Sequence, residues 1–308
     1  MRDNQENVFF LEDITLEEEY HLIFPDENKN TKKERIQRIF GNKLLPTSQN
    51  LRDTDFVLED GKNCMDNNAE LMLLALLNNK IFYNFVEDLN EKINRKIVYT
   101  PFINSLINYL KDYYQNSFLD LNEDFMSIYR TVCKKIHDDL IDTHFFEEES
   151  WTSKIKKSYK SEKKIFEKYS PIVEIFHGKY EGQDGRTFYK IYRDYLDITT
   201  KEGAADMSMS VRDYFESSNI KINKCPLILV LKFENKRKLN VQEILTVERT
   251  RYRLSSFITH AEPTHRAYLN NHGKWFMCAE GKITNVGIDE KEKYTVLIAL
   301  YQIDRITN

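Results

Sequence analysis

The chain has 308 residues, 41% of them hydrophobic and 13% aromatic, enough for one large domain or two ordinary ones. Its 45 Lys and Arg against 49 Asp and Glu leave a formal net charge of −4. Without a basic excess, a general phosphate-binding surface is excluded, and nucleic acid with it.

Four cysteines, at 64, 133, 225 and 278, include no CxxC pair, so neither a zinc knuckle nor a redox pair is written here. Sparse, unpaired cysteine fits a reducing compartment. The first residues, "MRDNQENVFFLEDITLEEEY", lack the apolar run of a signal peptide, and the longest apolar stretch, "LMLLALL", is far too short to span a bilayer. The expectation is an intracellular protein, in cytoplasm or nucleus, with no membrane partner.

In chain order, residues 1–50 turn from acidic to basic without a sustained period and read as an extension with one or two helices. From Asn67 to about Asn90, Leu71, Leu74, Leu77, Ile81, Phe85 and Leu89 recur at helical spacing and predict a helix. "FINSLINYLKDYYQN" and "EDFMSIYRTVCKKIHDDLID" predict two more, and the charged run "HFFEEESWTSKIKKSYKSEKK" reads as a solvated face. After Pro171 the text changes to strands: "KCPLILVLKF", "TRYRLSSFITHA", "RAYLNNHGKWFMCAEGKITNVG" and "KYTVLIALYQI". "NNHGK" is a hairpin turn, because Asn and Gly tolerate positive φ. Helices followed by a mainly antiparallel sheet make an α+β protein.

Cys64 follows a glycine turn and precedes an apolar helix. It reads either as a small buried hydrophobe or as a nucleophile whose thiolate the helix N-terminus favours. A nucleophile needs a base that is distant in sequence and near in space. His21, His137, His144 and His177 fall in helical or loop text and read as surface or satisfied-core residues. His260, His265 and His272 lie in the strand-rich third; His265 starts a strand, where a residue on the next strand can lie beside its ring and orient it. Asp124, in "NED" ahead of an apolar helix, reads as an N-cap. Trp275, Cys133 and Cys225 read as packing residues.

Taken in order, several stretches resemble the catalytic domain of the ubiquitin-specific proteases, papain-like cysteine peptidases that remove ubiquitin. "GKNCMDNNAELMLLALLNNKIFYNFV" is similar to the family's Cys box, G-N-T-C-[FY]-[ML]-N-[SA] and a helix; "NEDFMSIY" resembles Q-Q-D-A-x-E-F. "SPIVEIFHGKY" resembles the F-x-G segment, and "CPLILVLKF" the L-P-x-x-L-x-x-x-L-K-R-F strand. "RYRLSSFITHAEPTHRAYL" resembles Y-x-L-x-x-V-x-x-H…G-G-H-Y-x-x-Y, "GKWFMCAEGKIT" resembles W-x-x-F-[DN]-D-x-x-V, and "KYTVLIALYQ" the closing strand. The resemblance implies a papain-like fold with a helical thumb, an antiparallel β palm and reduced fingers. Those fingers are expected to be zinc-free, since "GQDGRTF" stands where a CxxC would sit. It implies a catalytic domain over residues 51–308, preceded by the 1–50 extension, and no cofactor. It further implies Cys64 as nucleophile, His265 as general base, and Asp124 as the carboxylate for the arginines of the ubiquitin tail. Ubiquitin or ubiquitinated proteins, and a larger protein complex, are the implied partners.

The departures from the pattern fall on sensitive positions. Lys62 stands where an Asn donates to the oxyanion, Pro263-Thr264 replace Gly-Gly before the base, and Ser127 replaces a glutamate. Ala279 occupies the position that orients the base, with Glu280 at the second acidic position. Two repairs suggest themselves: Glu280 reaching back to His265, and Lys62 acting as a charged oxyanion donor. Two functions follow. One is a deubiquitinase, a thiol-dependent hydrolase of the (iso)peptide bond after the ubiquitin C-terminal glycine. The alternative is a catalytically impaired ubiquitin-binding or scaffold protein of the same family.

Overall fold

The strand sequences bury both faces, and this dictates a sheet packed on two sides. In "ILVLKF", Ile228 and Val230 belong to one buried cluster while Leu229, Leu231 and Phe233 belong to another. The structure, a computed structural model, describes residues 56–64, 67–95, 101–111, 123–144, 170–184, 187–218, 220–234, 237–262, 264–288 and 292–306. The expected 1–50 extension and most of the charged run near residue 150 lie outside the described residues.

Helices come first: α1 (Asn68–Leu77), α2 (Lys80–Arg95), α3 (Pro101–Lys111), α4 (Phe125–His144) and α5 (Pro171–Phe176). There follow β1 (Gly178–Asp184), β2 (Thr187–Arg193), β3 (Leu196–Ile198), α6 (Met207–Ser218) and β4 (Ile220–Lys224). The chain then runs β5 (Ile228–Phe233), β6 (Lys238–Asn240), β7 (Ile244–Val247), β8 (Thr250–Ala261), β9 (Thr264–Asn271), β10 (Lys274–Ala279), β11 (Lys282–Val286) and β12 (Lys293–Ile306). The main sheet runs β11-β10-β9-β8-β12-β5-β3, with β6 on β12 and β7 on β8; β2-β1-β4 form a separate small sheet. Every pairing is antiparallel except β3 with β5. The fold is thus α+β, as the sequence order of helices and strands requires, with α6 set among the strands where sequence reading placed no helix.

On one face lie α1 to α5, packed on Ile228, Val230, Ile258, Ala267, Leu269, Cys278 and Leu300. On the other, Leu229, Tyr252, Phe257, Tyr268 and Trp275 pack with Met207 and Val211 of α6. The rings of Phe257 and Tyr268, paired across β8 and β9, stack with centroids 4.6 Å apart. A register shift between Val296 and Ile298 lets residues of one parity on β12 serve opposite faces, Val296 in the second core and Ile298 in the first. Among the described residues no helix is long and apolar enough to cross a membrane.

The single helix expected from Asn67 onward is two, broken at Asn78 and Asn79. The apolar spacing runs straight through the break, but the asparagines answer other partners. Asn78 Nδ2 donates to the carbonyls of Ser255 (2.8 Å) and Asn270 (3.1 Å). Asn79 Nδ2 donates to Ser255 Oγ at 3.2 Å, while its Oδ1 accepts from the N–H groups of Ile81 and Phe82 and caps α2. Ser255 Oγ donates to the Leu300 carbonyl and Ser256 Oγ to that of Ala75. This buried network fixes the C-terminal end of α1 to β8, β9 and β12. Asn79→Ala leaves Ser255 short of a partner and α2 uncapped. Urea unfolding should show a loss of roughly 1–3 kcal/mol with an unchanged m-value, and a non-additive result when combined with Ser255→Ala.

Candidate active site

Gly61, with φ +79°, turns the chain so that the next residues run along β11. Gly61 N–H donates to the Ile283 carbonyl (2.9 Å), Ile283 N–H to that of Lys62 (2.8 Å), and Cys64 N–H to that of Gly281 (2.9 Å). Asn63 forms a bridge with Lys282. This short ladder sets Cys64 beside the β10–β11 turn, whose two residues, Glu280 and Gly281, both have positive φ, the signature of a tight hairpin. Asn67 then caps α1, its side chain accepting from Glu70 N–H at 2.8 Å.

His265 is half-buried on β9, opposite His260 on β8, with ring centroids 5.3 Å apart. By strand alternation it shares the helical face with Ala267 and Leu269. Its Nδ1 lies 3.1 Å from Asn68 Oδ1, and Phe125 meets its ring edge-on at 5.1 Å. Asn68 Nδ2 donates to the Glu123 carbonyl at 3.1 Å, which fixes the amide so that Oδ1 faces the imidazole. The Nδ1 atom therefore carries the hydrogen and Nε2 is the basic nitrogen. Sequence reading missed Asn68. The signal was the Asn67-Asn68 pair ahead of the helix, of which one residue suffices as a cap.

The other expected residues are placed as follows. The Cys64 sulfur is bonded to that of Cys278, a disulfide where the sequence pattern suggested unpaired thiols. The Lys62 ammonium lies 2.9 Å from the Glu59 carboxylate at the surface. Glu280 occupies the β10–β11 turn and is exposed; the β9–β10 ladder ends at Cys278 opposite Ala267, without a bulge. That register gives Cys278, and not Ala279, the face on which His265 lies. Asp124 caps α4, accepting from the N–H groups of Met126 (2.9 Å) and Ser127 (3.1 Å) and from Ser127 Oγ (2.6 Å). The Ser127 hydroxyl, more than any other group, holds its carboxyl below the usual carboxylate range. The carboxyl stays exposed, so cap and surface anion are one residue. Pro263 lies outside the described residues. Among the described residues no group of His, Cys, Asp and Glu is placed to hold a metal ion. The structure joins His265 to Asn68, the first residue of α1, and Cys64, four residues ahead of it, to Cys278.

No family model and no curated protein matches this chain. Solved structures do. A chain of the SAGA Ubp8/Sgf11/Sus1/Sgf73 DUB module is 14% identical, with 91% of this chain covering 76% of that one at a TM-score of 0.63. A chain of the yeast SAGA DUB module carrying a variant subunit gives 14% identity, 91% and 75% coverage and 0.62. One from the module bound to monoubiquitin gives 13%, 91% and 77%, and 0.61. The likeness is one of fold, shared with chains of that DUB module.

Glu70, three residues into α1, is buried beside Tyr109, whose hydroxyl donates to its carboxylate. Burial pushes its pKa from 4.5 up to about 7, against the opposing effect of the Tyr109 bond. Below pH 4.5 the carboxyl is protonated in both folded and unfolded states; as pH rises through about 7 the folded state must ionise a buried acid and stability is lost. The unfolding free energy of the wild type should thus fall relative to that of Glu70→Gln between about pH 5 and pH 8, measured by urea titration.

Proposed function

We propose that this chain is an intracellular thiol peptidase of the deubiquitinase class, cleaving the bond after the C-terminal glycine of ubiquitin. The observation that carries the reading is the bond between His265 and Asn68 at the first turn of the helix that Cys64 precedes. The fold shared with chains of a DUB module, which in one structure is bound to monoubiquitin, supports the substrate.

In this mechanism Asn68 holds the ring through Nδ1, the part that the sequence pattern assigned to position 279 and that the strand register denies it. His265 Nε2 takes the Cys64 proton, and the thiolate attacks the glycine carbonyl carbon. Collapse of the tetrahedral oxyanion expels the amine, which takes its proton from the imidazolium, and leaves a thioester that water hydrolyses with the same base. Asp124 presents its ionised carboxylate to the basic ubiquitin tail. Glu280, exposed in the β10–β11 turn, and Lys62, paired with Glu59, are assigned no step in the mechanism. Cytoplasm or nucleus, a ubiquitinated protein substrate and a host complex are part of this proposal; no cofactor takes part.

A second reading, a ubiquitin-binding scaffold of impaired activity, draws on three observations. The Cys64 N–H, a natural oxyanion donor, is engaged by Gly281; the Lys62 ammonium is engaged by Glu59; and the Cys64 sulfur is in a disulfide. One experiment separates the two. After reduction, a ubiquitin bearing a C-terminal electrophile should label Cys64, and Cys64→Ala should abolish labelling while retaining ubiquitin affinity. Asn68→Ala should slow fluorogenic ubiquitin cleavage by roughly tenfold or more through kcat, with KM little changed. Binding without labelling, with Asn68→Ala indistinguishable from wild type, favours the scaffold.

A further inference from the structure

Cys64 and Cys278 lie 214 residues apart in sequence, with Cα atoms 7.0 Å apart and sulfurs joined. Their surroundings differ. Cys278 is wholly buried in the core beneath the helices, whereas Cys64 retains 8% exposure. The backbone around them is already tied together. Three hydrogen bonds and the Asn63–Lys282 bridge hold the 61–64 segment to β11 and its turn, so the disulfide adds no connection that the backbone lacks. The ladder by itself holds this segment in place, and the cross-link occupies the sulfur of a residue four positions ahead of α1.

We propose that Cys64–Cys278 is a reversible thiol–disulfide site that masks Cys64 when oxidised and releases it to small dithiol reductants. Only the consequence for activity rests on the deubiquitinase reading. In the oxidising direction with hydrogen peroxide, the Cys64 thiolate attacks one peroxide oxygen and hydroxide leaves, giving a sulfenic acid. Cys278 then attacks that sulfur; its proton and the sulfenic hydroxyl leave as water, so one peroxide oxidises two thiols and yields two waters. In the reducing direction a dithiol thiolate attacks the accessible Cys64 sulfur, and the electron pair leaves on Cys278, which takes up a proton in the core. The second reductant thiol closes onto the first, expelling Cys64 as the thiolate and leaving the reductant as a cyclic disulfide.

The full chain, treated with hydrogen peroxide or with dithiothreitol, is probed by iodoacetamide and by peptide mapping without reduction. The peroxide-treated wild type should yield a peptide linking Cys64 to Cys278. Dithiothreitol should remove it from the folded protein and raise Cys64 alkylation by about tenfold or more, while Cys278→Ala that has not met peroxide should alkylate at Cys64 to within about twofold with or without reductant. Absence of the linked peptide after peroxide overturns the proposal, as does a link that persists in folded protein under dithiothreitol. So does a Cys278→Ala protein that needs reductant as the wild type does. If that variant does not fold, titration of the wild type in dithiothreitol redox buffers decides: loss of the linked peptide and gain of Cys64 alkylation must share one midpoint, and separate midpoints overturn the proposal. Iodoacetamide needs no ubiquitin. Reduced protein that alkylates at Cys64 yet ignores the ubiquitin electrophile therefore upholds the switch and sinks the peptidase.

Discussion

Three backbone hydrogen bonds, from Gly61, Cys64 and Ile283, hold the strand-like lead into α1 against the last hairpin of the sheet. The site depends on them. They fix the chain three residues ahead of Asn67, which caps the helix. They also bring residues 61–64 into register with residues 281–283, so that a residue at 64 meets a hairpin at 280. Backbone bonds of this kind are blind to side-chain identity, which lets Lys62 and Asn63 replace the usual residues without moving Cys64 from its place.

The opposite end of α1 is fixed by different means. Its C-terminal turn is met by Asn78, Asn79, Ser255 and Ser256, all buried and hydrogen-bonded to one another, to strand carbonyls or, for Ser256, to the Ala75 carbonyl of the helix itself. Between the two anchors lies a run of nine buried residues on α1, from Ala69 to Leu77, that packs all round. A helix buried on every side has no amphipathic stripe to set its rotation. Polar contacts at its ends, including Asn68 to His265 and Ser256 to Ala75, supply that orientation.

Much of this was legible in the sequence. The α+β order, the strands of the sheet and the hairpin after Asn271 follow from composition and alternation. Even there the detail shifted: the turn residues with positive φ are His272 and Gly273, while the two asparagines remain in β9 and Asn270 Oδ1 accepts from Gly273 N–H. What alternation could not give was face. A slip of one residue in aligning β10 moves every side chain to the other side of the sheet, so the position that looked like the orienter of His265 is Ala279 by alignment while the register turns Cys278 to that side. The helix break at Asn78 was hidden because the apolar spacing continues across it, and only long-range partners reveal the turn. Asn68 was hidden beside Asn67. Its partner is 197 residues away, and no local pattern carries that distance.

The backbone ladder, and not the disulfide, keeps Cys64 at the hairpin. Amide hydrogen exchange at Gly61, Cys64 and Ile283, measured in the oxidised and in the dithiothreitol-reduced protein, tests it directly. All three amides should be strongly protected in both states, on a par with the amides of β10. Exchange at the rate of an unstructured peptide at Gly61 and Cys64 once the disulfide is reduced, with β10 still protected, would contradict it.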